Sequence, residues 1–281
     1  MSKIRRKHVL WGSACLALSV WLIWGNTSLQ VDRFTVSDSR IPEAFSGLRI
    51  AQVSDLHNAV LGQGNERLLN LLAREEPDII LITGDLVDSR RTDVDVAYSF
   101  VREAAKLAPV YYVPGNHEQR LDYSTLRTEI AQAGAIILDN EKCVLARENQ
   151  TITLLGVQDP NFSTPRELKY TLKELVEDET GYTILLSHRP ELMDIYSKAG
   201  VCLVFSGHAH GGQIRLPGVG GVLVPDQGFF PQYDSGMHWE QNTCMLVSRG
   251  LGDSIFPLRI GNRRSLLVAE LVRSEQDGKS S

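Results

Sequence analysis

The sequence predicts an α/β layered domain, and three observations predict it. Short apolar runs alternate with helical patterns through both halves of the chain. The run Ile79-Ile80-Leu81-Ile82 is apolar throughout, as a strand covered on both faces requires. Several such runs end within three residues of an aspartate, asparagine or histidine, the position at which open α/β sheets carry their sites.

The elements follow in order. Residues 1–29 are a basic start and an apolar segment. Lys3, Arg5, Arg6 and Lys7 precede 17 uncharged residues, Val9 to Gly25, that include Trp11, Trp21 and Trp24. As a helix this covers roughly 25 Å, the short end of a membrane span. Tryptophans near its ends suit the interfacial belt, so the expectation is one N-terminal transmembrane helix acting as a signal anchor. A cleaved signal peptide and an interfacial segment are the rivals. The basic start places the N-terminus inside and the remainder on the extracytoplasmic side of the cell membrane.

A single domain is expected over 30–273, followed by a polar tail at 274–281. Within it, strands are expected at 31–36 and 48–53, a helix at 66–74 stopped by Pro77, and a strand at 78–82. A helix at 93–107, a strand at 109–113, a helix at 124–133 and strands at 135–138, 142–146 and 151–157 come next. The second half repeats the arrangement, with helices at 165–178 and 190–198 and strands at 182–186 and 201–205. Residues 211–236 are rich in glycine and proline and read as long loops, and strands at 243–248 and 265–272 close the domain.

Composition excludes some functions. With 29 basic against 34 acidic residues the net charge is −5, which argues against nucleic-acid binding through a basic surface. The four cysteines form no C-x-x-C pair, so neither a zinc knuckle nor a redox motif is indicated, and Cys143, Cys202 and Cys244 read as free thiols in apolar runs.

Five of the seven histidines lie in five short blocks: Asp55-Leu56-His57, Gly84-Asp85, Gly115-Asn116-His117-Glu118, Ser187-His188 and Gly207-His208-Ala209-His210. An isolated histidine or aspartate at one strand end is ordinary. Five blocks so placed, far apart in sequence, describe a catalytic metal cluster, because a closed structural site needs only four ligands.

This set resembles the calcineurin-like metallophosphoesterase family, whose motifs are D-x-H, G-D, G-N-H-[DE], a lone histidine and G-H-x-H. All five occur in family order, across about residues 48 to 270. Ser187-His188-Arg189-Pro190 and Gly207-His208-Ala209-His210-Gly211-Gly212-Gln213 resemble the bacterial subgroup of YkuE- and YaeI-type phosphodiesterases.

The resemblance implies a four-layer αββα sandwich around two divalent metal ions. One ion would be held by Asp55, His57, Asp85 and His210, the other by Asp85, Asn116, His188 and His208. Asp85, a carboxylate, can bridge the two. The mixed imidazole and oxygen set suits manganese, iron or zinc. Such a centre hydrolyses phosphate esters through a metal-activated hydroxide, and His117 would face the substrate as proton donor or charge stabiliser. Glu118 would orient His117 or a ligand, and Asp88 would support the site or cap a helix.

Asn58, Arg120 and Arg189 are weaker candidates for touching substrate, and His238 reads as a structural or exposed loop residue. Gly211 and Gly212 are expected to allow close backbone approach at the rim. Val219, Val222, Leu223, Val224, Phe229 and Phe230 would either receive a lipid or pack beneath their loop. A phosphodiester is the expected substrate, lipid-linked or in an envelope polymer beside the bilayer. The alternatives are a phosphomonoester and a UDP-sugar-lipid pyrophosphate. A catalytically idle scaffold fits poorly, since every ligand position is filled.

Overall fold

A computed structural model of the chain describes residues 3–253 and 258–275. Helix α1 (Lys3–Thr27) comes first, followed by β1 (Leu29–Ser37), β2 (Arg49–Val53), α2 (Glu66–Glu75), β3 (Ile79–Thr83), α3 (Val94–Ala104), β4 (Val110–Val113), α4 (Tyr123–Gln132) and β5 (Ala135–Ile137). Next are β6 (Glu141–Arg147), β7 (Gln150–Gly156), α5 (Pro165–Val176), β8 (Tyr182–Leu186), α6 (Met193–Ala199) and β9 (Leu203–Ser206). Four two-residue strands, β10 (Arg215–Leu216), β11 (Gly220–Gly221), β12 (Leu223–Val224) and β13 (Gly228–Phe229), form two hairpins. Last are β14 (Gly236–Glu240), β15 (Thr243–Val247) and β16 (Arg264–Val272).

Two mixed six-stranded sheets result, ordered β1-β16-β2-β3-β4-β5 and β14-β15-β9-β8-β7-β6. In the first, β2, β3, β4 and β5 run parallel, so their carboxyl ends meet at one edge of the molecule. In the second, β7, β8, β9 and β15 are parallel, and β6 and β14 pair antiparallel at the edges.

Side-chain alternation builds the layers. Ile80 and Ile82 of β3 pack with Leu68, Phe100 and Ile130 of the helices, whereas Ile79 and Leu81 face the other way, onto Leu154, Ile184 and Phe205 of the second sheet. Leu155, Leu185 and Val204 cover the far side, against Leu168, Leu172 and Met193. The order is thus helices, sheet, sheet, helices, the αββα sandwich. Each fully buried leucine or isoleucine contributes about 1.5–3 kcal/mol, so all three apolar layers stabilise the fold. Gln52 adds a polar link across the sheet–sheet interface: Nε2 donates to Thr83 Oγ1 at 2.8 Å and to the Ser206 carbonyl at 2.9 Å.

The N-terminal segment corrects one expectation. It is helical, but among the described residues no helix is long and apolar enough to cross a membrane. The uncharged stretch is short and interrupted by Gly12, Ser13, Ser19 and Gly25. The extracytoplasmic placement rested on that span alone. The end of α1 is fastened to the domain: Asn26 Nδ2 donates to the Arg259 carbonyl at 2.9 Å, and Arg259 N–H returns the bond to Asn26 Oδ1 at 2.7 Å. Trp11, Leu16 and Ile23, at 71%, 67% and 62% exposure, lie outside that contact.

Two smaller differences concern the glycine-rich region, where hairpins replace plain loops. His238 lies on the edge strand β14, missed because Gly236 and the mixed polarity of Met237-His238-Trp239-Glu240 mask its alternation. The expected tail extends beyond the described residues after Glu275.

Candidate metal centre

The strand ends deliver the five blocks to one place. Asp55 and His57 follow β2, Asp85 follows β3, and Asn116 and His117 follow β4. His188 follows β8, and His208 and His210 follow β9, so the two sheets contribute from opposite sides. Asp55, His57, Asp85, His208 and His210 all hold positive φ, between 46° and 65°. Left-handed backbone at a non-glycine residue costs about 1–3 kcal/mol and persists where the surroundings enforce it. Here bonds between blocks enforce it: Asp55 N–H donates to the Gly84 carbonyl at 3.1 Å and His57 N–H to the Asp85 carbonyl at 3.0 Å.

Three-residue groups converge on two points. The ligand atoms of Asp55, His57 and His210 lie within 4.8 Å of one another, as do those of Asp85, His188 and His208. His57 Nε2 is 3.1 Å from His210 Nε2, which is 3.3 Å from Asp55 Oδ1. His188 Nε2 is 3.2 Å from His208 Nδ1. Asp85 Oδ2 stands between the groups, 3.6 Å from His57 Nε2 and 3.3 Å from His188 Nε2. Ligands bound at about 2.0–2.2 Å to a common ion stand roughly 3.0–3.5 Å apart, so the spacing fits. Asn116 Oδ1 is buried with no hydrogen-bond partner, as a carbonyl oxygen awaiting a cation would be.

Electrostatics points the same way. Burial pushes the Asp55 carboxyl up to about 6, and lowers His57 and His208 to about 4 and His210 well below its usual range. At His188 burial opposes protonation, but the adjoining Asp85 outweighs it and raises the imidazole to about 10. In return His188 and His57 overcome the burial of Asp85 and hold its carboxyl well below the ordinary range. The centre is therefore organised around positive charge beside Asp85, a role that a divalent cation fills.

The remaining candidates divide. His117 Nδ1 accepts the Ser89 N–H at 3.1 Å, with Asp88 Oδ1 3.4 Å away, so Nε2 carries the proton of the neutral ring. Burial lowers its pKa, which favours that neutral form. Asp88 accepts from Arg90 N, Nε and Nη2 at 2.9 Å and caps no helix, since α3 starts at Val94. Buried Glu118 orients the Asp85 loop directly: it accepts the N–H groups of Asp85, Val87 and Gly115 at 3.0, 3.3 and 2.8 Å. Burial and neighbouring Asp85 push Glu118 up to about 8, while those three donors favour its carboxylate. Gly212 does allow close approach, as a Cβ there would lie 2.5 Å from Gly221 Cα.

Arg189 is a strut instead of a surface anion ligand. It is buried, donates Nε to Asp159 Oδ2 at 2.5 Å and Nη2 to Asp159 Oδ1 at 3.1 Å, and pairs through Nη1 with Asp226. Sequence reasoning missed Asp159 and Asp226. Asp159, three residues beyond β7, carried the same strand-end signal as the five blocks. Asp226 carried none.

Two cavities flank the centre. One, of about 770 Å³, is lined by His57, Asn58, Asp88, Arg67, Arg91 and the α1 residues Asn26 and Thr27. The other, of about 690 Å³, is lined by Asn116, His117, Arg120, His208, Arg189 and Asp226. Arg90 lines both.

Fold and site together describe a phosphoester-hydrolysing metalloenzyme. The family model for calcineurin-like phosphoesterases matches residues 48–212, more than half of the chain, and the chain belongs to that family. It is 29% identical over 223 residues to YkoQ of Bacillus subtilis (strain 168), an uncharacterised metallophosphoesterase, covering 77% of this chain and 80% of that protein. It is 27% identical over 208 residues to the phosphodiesterase YaeI of Escherichia coli (strain K12), covering 70% and 72%. A transmembrane protein with a metallophosphoesterase domain from Danio rerio is 26% identical over 246 residues, covering 81% of this chain and 54% of that protein. Among solved structures, TT1561 of Thermus thermophilus shares the fold, with a TM-score of 0.52 at 13% identity over 73% of this chain and 90% of that one. Family membership makes this chain a metal-dependent phosphoester hydrolase of a dimetal class.

Proposed function

We propose that the chain hydrolyses phosphodiesters, with one metal ion held by Asp55, His57, Asp85 and His210 and a second by Asp85, Asn116, His188 and His208. The position of Asp85 Oδ2 between the two histidine groups carries this reading, because only a bridging carboxylate belongs to both. Four imidazoles, two carboxylates and one carboxamide suit manganese, iron or zinc. When bound, the two ions supply Lewis acidity and water of lowered pKa for attack on phosphorus.

The protein groups do the rest. His117 turns its protonated Nε2 away from Ser89 and toward the cleft, where it donates to the leaving oxygen or to phosphoryl charge. Arg90 and Arg120 bring positive charge to the cavity walls. Cavities on both sides of the centre give each alcohol arm of a diester its own space, which favours diesters over monoesters. A relative named as a phosphodiesterase supports the same choice.

The domain at 30–273 works, on this reading, at a membrane surface. Leu16, Leu18, Val20, Trp21, Ile23 and Trp24 are each at least 44% exposed and succeed one another around α1, so one protein face could not cover them all. A bilayer interface covers such a segment without a full crossing. Leu216, Val219, Leu223, Phe229 and Phe230 add exposed apolar surface on the hairpins, and Trp21 lines a groove with Leu216 and Val219. A lipid-linked phosphodiester matches a cavity that ends at Asn26 and Thr27.

The test is hydrolysis of bis-p-nitrophenyl phosphate against p-nitrophenyl phosphate, with manganese and with chelator, alongside metal analysis. Chelator-sensitive preference for the diester with two ions per chain is expected. Preference for the monoester, or one ion per chain, would overturn the diester or the two-metal assignment respectively.

A further inference from the structure

A metal-ligating imidazole is oriented by what its other nitrogen meets, and the four histidines of this centre differ there. His188 turns Nε2 inward, with Nδ1 2.7 Å from the Thr83 carbonyl. His57 and His210 turn Nε2 inward and leave Nδ1 buried without a partner. His208 is reversed. Its Nδ1 faces His188 Nε2 at 3.2 Å, and its Nε2 points outward, 3.0 Å from Asp226 Oδ2.

We propose that Asp226 is a positioning residue of the metal centre: its carboxylate accepts the Nε2–H of His208 and so keeps Nδ1 turned toward Asp85, Asn116 and His188. This role rests on the two-metal reading above. The surroundings are built for it. Asp226 sits at the turn between β12 and β13, with φ 60°. The next residue braces the turn, Gln227 Nε2 donating to the Tyr233 carbonyl at 2.9 Å while Tyr233 N–H donates to Gln227 Oε1 at 3.0 Å. Arg189 holds the carboxylate by an ion pair and is itself locked by Asp159.

Arg189 cannot perform this orientation itself. Its Nη1 also lies 3.0 Å from His208 Nε2, but a guanidinium only donates, so an Nε2–H and the arginine oppose each other unless an acceptor lies beside both. Asp226 is that acceptor. A carboxylate behind a ligating imidazole also makes it a better donor to the ion. His210, two residues further on, has no such support, so loss of Asp226 acts on one ion of the two.

The test uses the full chain and manganese or zinc alone as the probe. Asp226→Asn is expected to weaken one of the two ions by about 10–100-fold and leave the other unchanged. Asp226→Glu is expected to recover most of the loss. In the zinc-loaded protein, a downfield histidine N–H resonance is expected to vanish in Asp226→Asn and return in Asp226→Glu, a signature that a merely structural ion pair with Arg189 would not produce. Parent-like affinity at both sites in Asp226→Asn would overturn the role. So would equal weakening of both ions with a lower melting temperature of the metal-free chain, which would make Asp226 only the partner of Arg189. A parent chain that binds fewer than two ions defeats the two-metal reading and this role with it, and shows that before any substitution is made.

Discussion

His57 Nε2 and His210 Nε2 face each other at 3.1 Å across 153 residues of chain. Burial keeps both rings neutral near pH 7, so the pair shares at most one hydrogen and needs a third group between or beside it. A cation bound only by the folded state adds RT ln(1 + [L]/Kd), about 2.7 kcal/mol at a hundredfold excess over Kd. Manganese or zinc should therefore raise the melting temperature by several degrees, and chelator should reverse the rise. A chain whose unfolding ignores both would contradict a folded metal centre.

Asp85 contacts both histidine groups, so its loss should be felt at both. Asp85→Ala is expected to remove at least one ion and to lower turnover by more than about a thousandfold. Metal analysis of the purified variant checks it; two ions and parent activity would dismiss the bridge.

His117→Ala should keep both ions and lose about 10²–10⁴-fold in turnover, most for diesters with poor leaving groups. The reason is the ring's setting: Nδ1 is occupied by Ser89 N–H and Nε2 is left for the substrate. Metal content and a leaving-group series decide it. Loss of metal would make His117 a ligand.

Gly115→Ala would place a Cβ 2.3 Å from Asp85 Oδ1 and 2.7 Å from Asp85 N. Backbone and ligand cannot both give way there, so loss of metal binding is expected even if the fold survives. Retained binding in calorimetry would show that the loop accommodates.

Glu179, remote from the centre, supplies the pH test. Its carboxylate accepts from Lys142 Nζ at 2.6 Å and Thr153 Oγ1 at 2.7 Å, which lowers its pKa below the usual 4.5. The stabilisation is present above pH 4.5 and is lost as pH falls through the depressed value. Glu179→Gln should cost about 0.2–1 kcal/mol at pH 7, an amount typical of solvent-screened pairs, and the gap to the parent should close below pH 4.5. Denaturant unfolding at pH 7 and pH 3.5 measures it.

Much of this centre was legible before any coordinates. The blocks at residues 55–57, 84–85, 115–118, 187–188 and 207–210 follow apolar runs, and both features are local. What misled was equally physical. Arg189 looked free to bind a phosphate oxygen because its partners Asp159 and Asp226 lie 30 and 37 residues away. The 17 uncharged residues suggested a span, yet glycine and serine dilute their apolar character. β14 was missed because an edge strand with mixed burial shows no clean alternation.

The sequence by itself determined the α/β class, the longer strands and the blocks of side chains able to bind a metal, because periodicity and side-chain chemistry are properties of short segments. Only the tertiary structure decided which of those residues meet. Packing two sheets face to face sets His57 against His210 and Asp85 between His57 and His188, turns His208 around so that Nδ1 faces inward, and brings Asp226 up behind it. Contacts over such separations come from layers closing on a shared core, and no local pattern encodes them.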